Sequence, residues 1–142
     1  MSVYVICVGK LKEKFYLEAA AEYAKRLGSY CRLQMVELPE ERLPATPSDA
    51  QIRAALAREA QAIRAKLPPS ASLVALCVEG KEHSSEAFAG LLSAWAQSPA
   101  KHLVFLIGGS YGLDEGLKRE AWLRLSMSPM TFPHHLARVM LL

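Results

Sequence analysis

The sequence has little cysteine and none of the long apolar runs that mark a membrane protein. Three cysteines among 142 residues are too few, and odd in number, for a disulfide framework. Cys7 and Cys77 sit inside apolar runs and are expected as small core residues, while Cys31 is expected as a partly exposed thiol. That usage fits the reducing cytoplasm. No stretch approaches ~18 uninterrupted apolar residues, which excludes a helical membrane span. Met1–Val8 is apolar but short, and Lys10 follows without a cleavage pattern, so no secretory signal is expected.

Charge of one sign is also scarce, with 17 basic and 14 acidic residues for a net +3. That balance does not by itself indicate nucleic acid. Lys10, Lys12 and Lys14 nevertheless cluster after the first apolar run, and Lys25, Arg26 and Arg32 follow. The cluster is either a solvated face or a phosphate-contacting patch. The G-x-G-x-x-G pattern fails, with Ile107 where its first glycine belongs, and no Gly-Lys-Ser/Thr follows. A dinucleotide oxidoreductase and a P-loop nucleotidase are disfavoured on that ground. No Ser-His-Asp set with a nucleophile elbow is visible. His134-His135 invites a metal, but adjacent helical positions point about 100° apart. No cysteine or carboxylate lies near them at ligand spacing, so no metal is expected. His83 and His102 read as ordinary surface residues, and Asp114-Glu115 as favourable charges at a helix start.

What is present is a regular alternation of strand and helix. The apolar runs Val3–Val8, Leu33–Leu38, Leu73–Val78 and Leu103–Ile107 read as buried strands, with Leu123–Met127 as a short fifth. Between them, Phe15–Leu27 is helical and stopped by Gly28, and Ser48 with Gln51 forms a capping box for the next helix. Ile52, Leu56, Ile63 and Leu67 line one face of that helix before Pro68-Pro69 ends it. Further helices are expected from Ser84-Ser85 to about Gln97, over Leu113–Trp122, and from Pro133 onward. Residues 40–47 form a proline-bearing connection. Continuously apolar strands alternating with helices predict one α/β domain over 1–142, a mostly parallel sheet with helices on both faces. A chain of this length buries roughly 68–70% of its unfolded surface and needs no staple.

Ligands of open α/β sheets bind beyond the carboxyl ends of the strands. Three such ends carry unusual residues: Leu76–Lys81, Ile107–Gly112 and Leu125–His134. Gly108, Gly109 and Gly112 permit close backbone approach to a ligand, and they serve a tight strand-to-helix turn equally well. Leu125–His134 is too polar for core and too apolar for a solvent loop. Its amides and carbonyls could bracket a purine edge between Met127, Met130 and Phe132. A structured surface loop would have the same composition. His134, after Pro133, is expected to cap or position this loop.

Four segments carry a resemblance: VGKLKEKFYLEAAAEYAKRLGSY at 8–30, L-x-x-x-GK at 76–81, FLIGGSYGL at 105–113 and LSMSPMTFPHHLARV at 125–139. In this order they are similar to the bacterial large-subunit rRNA pseudouridine N3-methyltransferases of the SPOUT superfamily (the RlmH family). The resemblance implies a SPOUT-like fold with a C-terminal trefoil knot, a homodimer, and bound S-adenosylmethionine. It places the cofactor contacts at Leu76, Gly108, Met127, Ser128, Pro129, Met130, Thr131 and Phe132. The implied substrate is a pseudouridine of 23S rRNA in the assembled ribosome, methylated at N3 without a metal. Family members continue past the position of Leu142 with more helix and a tail bearing a Tyr-His pair. The C-terminal helix and tail are therefore expected to be shortened here, and the catalytic residues to lie beyond Leu142. RNA contacts are expected from Lys10, Lys12, Lys14, Lys25, Arg26 and Arg138. The alternative is a non-catalytic ribosome-binding module that has lost its catalytic tail.

Overall fold

A computed structural model describes all residues from Met1 to Leu142. Its elements run β1 Ser2–Val8, α1 Lys14–Leu27, β2 Arg32–Leu38, α2 Asp49–Lys66 and β3 Ala71–Glu82, followed by α3 Ser85–Ala96, β4 His102–Ile107, α4 Glu115–Glu120, β5 Leu123–Ser126 and α5 His134–Leu141. The five strands form one sheet in the order β2-β1-β4-β3-β5, and every pairing is parallel. The expected class, an α/β domain with a parallel sheet, is the one observed. No helix is long and apolar enough to cross a membrane.

Alternation along the strands divides the core in two. Ile6, Val8, Leu73, Ala75, Val104 and Leu106 point to one face, where Ala60 and Ile63 of α2 and Leu117 of α4 cover them. Val3, Val5, Cys7, Val74, Leu103, Phe105 and Ile107 point to the other, under Trp95 of α3 and beside Leu141 of α5. Each of these large aliphatic side chains contributes roughly 1.5–3 kcal/mol by leaving water. α1 lies against α5, so the first and last helices of the chain are neighbours.

The local signals work as chemistry requires. The Ser48 hydroxyl accepts from the Gln51 amide at 3.2 Å while the Gln51 side chain accepts from the Ser48 amide at 2.8 Å, the reciprocal capping box. Ser84 caps α3 by accepting from the Ala87 amide at 3.1 Å. The 40–47 connection is pinned, because the buried Glu59 carboxylate accepts from the Glu41 amide at 2.8 Å. Burial pushes the Glu59 carboxyl up, against the pull of that amide.

Gly28 stops α1 as expected, in right-handed geometry (φ −57°) that leads into the 28–30 turn. Four other expectations need correction. Strand β3 does not stop at Gly80 but runs to Glu82. It does so with an irregularity: Leu125 pairs with both Leu76 and Lys81, so residues 77–80 bulge out of the ladder. The Cys77 thiol is half-buried on that bulge instead of lying in the core. Helix α4 covers only Glu115–Glu120, because Ala121 returns to extended backbone to enter β5. Within it, Asp114 acts as the N-cap, its carboxylate accepting from the Gly116 amide at 2.9 Å. His102 is likewise only half-exposed, its ring edge-on to Tyr4.

Candidate functional site

The three unusual strand ends converge. A cavity of about 620 Å³ opens at the bulge of β3 and the ends of β4 and β5, walled by Leu76–Glu79, by Ile107–Leu113 and by a set from Leu125 to Ala137 that includes Met127, Phe132 and His134. Its volume falls within the ~300–1,000 Å³ range of small-molecule sites.

The middle wall is a turn built from glycine. Gly112 has φ +82°, a conformation that side chains rarely adopt, and its amide donates to the Gly109 carbonyl at 3.1 Å. A Cβ on Gly108 would fall on the Gly112 carbonyl group. The Glu40 carboxylate reaches in from the connection after β2 and accepts from the Ser110 amide at 2.7 Å. It occupies the space a Gly109 side chain would need. The turn is thus tied at both ends and presents backbone to the cavity.

The β3 wall carries an ion pair. Lys118 of α4 donates to Glu79 at 2.5 Å and to Glu115 at 3.1 Å, with only 12% of its side chain exposed. Burial works against the Lys118 charge, but the two carboxylates outweigh it and raise its pKa. Glu79 is held below the usual carboxylate range, chiefly by the hydrogen bond from Lys118. Both groups are charged at neutral pH.

The third wall folds back on itself. The buried Ser126 hydroxyl donates to the Ser128 carbonyl at 3.0 Å, and the Ser128 hydroxyl accepts from the Met130 amide at 3.0 Å. These serine turns hold the segment off the ladder. His134, the first residue of α5, closes this side. Burial, with help from the neighbouring His135 and Arg138 and against Glu40, lowers its pKa.

Beneath His134 the helix is anchored by a buried arginine. Arg138 has a side chain only 2% exposed and donates to Glu37 at 2.5 Å and to the Gly9 carbonyl at 3.0 Å. Glu37 also accepts from the Leu11 amide at 3.0 Å. Burial opposes its charge, yet that amide and Arg138 together lower its pKa.

Leu76, Gly108, Met127, Ser128, Met130, Thr131 and Phe132 all line the cavity, and Pro129 does not. Pro129 is exposed at the tip of the serine turn. Lys10, Lys12, Lys14, Lys25 and Arg26 are all exposed around α1. Lys14 pairs with Glu18 at 3.7 Å and Arg26 with Glu22 at 3.0 Å. Arg138 is a correction: it is buried and its charge is engaged by Glu37, so in this fold it does not face solvent where a phosphate could meet it. Sequence reasoning missed Cys77, Glu79 and Lys118 as cavity residues. Cys77 and Glu79 were within the first flagged strand end, whereas nothing in the sequence pairs Lys118 with Glu79. No group of three or more His, Cys, Asp or Glu side chains is arranged to hold a metal.

A parallel sheet with a glycine turn and a folded-back loop meeting at its carboxyl edge defines an α/β domain with a cavity at that edge, and comparison narrows it. The family model described as "Predicted SPOUT methyltransferase" matches residues 1–142, and the chain belongs to this SPOUT methyltransferase family. Its similar relatives carry the name ribosomal RNA large subunit methyltransferase H. That of Leuconostoc mesenteroides is 42% identical over 142 residues, all of this chain and 89% of the relative. Those of Exiguobacterium sibiricum and Listeria monocytogenes are 42% and 40% identical over 141 residues, 99% of this chain and 89% of each relative. The resemblance read from the four segments is borne out.

Proposed function

We propose that this chain is an S-adenosylmethionine-dependent methyltransferase of large-subunit ribosomal RNA, acting on N3 of a pseudouridine. The observation that carries the reading is the convergence of all three flagged strand ends on one cavity, in a chain whose relatives are named for rRNA methylation.

The residues fit the cofactor. Leu76, Met127 and Phe132 would sandwich an adenine, while the backbone of Gly108 and of Ser128–Thr131 would meet its polar edge. Pro129 would shape the loop from outside. S-adenosylmethionine, when bound, supplies a methyl group on an electrophilic sulfonium, so the reaction needs no metal. The chain's own work is alignment and exclusion of water. The glycine turn, tied by Glu40, fixes one wall, and the serine turns fix the opposite one.

The RNA would approach over α1. Lys10, Lys12, Lys14, Lys25 and Arg26 are exposed there, and Phe15 beside them is 64% exposed. Cations supply phosphate contacts, and an exposed ring can stack on an unpaired base. The trefoil knot is part of the same reading. Its support is that β5 pairs outside β3, while the chain leaving β5 returns across 127–133 to pack α5 on β4 and α1. A homodimer would cover exposed apolar residues flanking the cavity, such as Tyr111 and Met130.

The test is transfer of a labelled methyl from S-adenosylmethionine to ribosomes that carry the pseudouridine. Label at its N3, and none on ribosomes with uridine there, is the expected result. A folded chain that binds neither S-adenosylmethionine nor S-adenosylhomocysteine by calorimetry overturns the reading. Reversing the charge of Lys10, Lys12 and Lys14 together should weaken ribosome binding and flatten its salt dependence. Binding curves that overlay the parent at every salt concentration would refute the α1 approach. Sedimentation at micromolar concentration checks the dimer, and monomer alone counts against it.

A further inference from the structure

Helix α5 starts at His134. Its N-cap is Pro133, which makes no side-chain capping bond, and its first turn holds no acidic residue. Pro133 marks where the helix starts, but no local bond fixes its rotation or height, although its first residue, His134, is part of the cavity wall.

The placement comes from across the fold. His134 and Arg138 are four residues apart and share one helix face, and both meet Gly9. Arg138 donates to the Gly9 carbonyl at 3.0 Å, while a Cβ on Gly9 would lie 3.2 Å from Cε1 of His134. Both acceptors of Arg138 are themselves fixed. Gly9, at φ +102°, donates its amide to the Leu38 carbonyl at 2.7 Å. Glu37 is held by the Leu11 amide at 3.0 Å. Arg138 thus joins α5 to the ends of β1 and β2, over separations of 129 and 101 residues.

A buried ion pair is a poor source of stability, since well-packed apolar residues of the same volume often serve as well or better. Here the guanidinium even leaves its Nε without a partner. The pair does something apolar packing would not: a fork of donors with fixed directions permits one rotation and one height of the helix. We propose that Arg138 is a positioning residue for the cavity, setting through Glu37 and Gly9 where His134 and the Met127–Pro133 segment stand against the glycine turn. It acts through these groups and touches no substrate.

The test rests on the reading of the cavity as an S-adenosylmethionine site and uses S-adenosylhomocysteine as the probe. Three variants, R138K, R138M and the paired R138M/E37L, are measured for urea midpoint, for Kd by calorimetry, and for the NMR signal of the His134 ring. The paired variant should unfold near the parent midpoint yet bind about tenfold or more weakly, since small misplacements of a binding wall are costly. R138K keeps the charge but not the fork; its affinity should lie between those of the parent and R138M, with the His134 signal displaced. Parent affinity together with an unmoved His134 signal in R138K overturns the proposal. So do affinity losses that merely track the loss of stability across the set. R138K keeps the test decisive if the paired variant does not fold. If the parent protein fails to bind the probe, the site reading fails, while displacement of the His134 signal still decides whether Arg138 positions α5.

Discussion

Replacing Gly108 with alanine tests how the glycine turn is built. The new methyl group would be directed into the Gly112 carbonyl group. That carbonyl has little room to withdraw. Gly112 is already at φ +82°, and its amide is bonded to Gly109 at 3.1 Å, while the Ser110 amide is bonded to Glu40 at 2.7 Å. Overpacking of a well-filled site costs about 1–3 kcal/mol. Contact with constrained backbone puts this case at the upper end, about 3 kcal/mol. Since every 1.4 kcal/mol is a factor of ten, the folding constant should fall by about a hundredfold. If the turn opens to relieve the clash, the loss moves from stability to ligand affinity, so urea unfolding and calorimetry with S-adenosylhomocysteine are needed together. Gly90 is the matched control. It lies exposed within α3 with nothing near its missing Cβ, and alanine there should stabilise by roughly 0.5–1 kcal/mol. A Gly108→Ala protein with the parent's midpoint and the parent's affinity would refute the account of the turn.

Other outcomes follow from the same geometry. Ile63→Ala, at a side chain 1% exposed between α2 and the sheet, should lower stability by about 2–5 kcal/mol in urea unfolding. Burial pushes the Cys7 thiol up to about 11, so alkylation at pH 8 followed by peptide mapping should mark Cys31 and Cys77 well before Cys7. S-adenosylhomocysteine should protect Cys77, on the cavity wall, and leave Cys31 unprotected; equal rates at Cys77 with and without it would contradict the cavity assignment. For His134 the folded pKa lies below the usual 6.5, so the unfolded chain takes up the proton first. Its contribution is complete above pH 6.5 and declines as pH falls from there through the folded value. Thermal midpoints measured from pH 7.5 to 5 should drop less in His134→Gln than in the parent.

Much of the architecture was legible because its causes are local. The capping box at Ser48 and Gln51, the apolar strands and the serine cap at Ser84 are each set by a few neighbouring residues, and each appears in the fold. The cavity was legible in outline, because glycine and serine clusters at strand ends are unusual wherever they occur. What was illegible depends on pairings between distant positions. Arg138 looked like a free surface cation because Glu37 lies 101 residues earlier and becomes its neighbour only when α5 crosses to β2. Lys118 joined the cavity through Glu79, 39 residues away. The persistence of β3 past Gly80 is of the same kind. A Cβ there would lie 2.8 Å from the Arg124 backbone, so the glycine lets β5 approach where sequence alone reads a stop.

The double pairing of Leu125, with Leu76 and again with Lys81, bears on the order of assembly. One wall of the cavity begins at this residue, and β5 lies at the edge of the sheet, paired only with β3. A folding chain that has joined only β1, β2, β3 and β4 owns a hydrophobic core but no receptor. Ligand present during refolding then has nothing to hold until β5 has seated, and it should leave the early rate unchanged while slowing the reverse reaction. The edge strand thus serves as a clasp on the cavity, and occupancy of the cavity reports that it is shut.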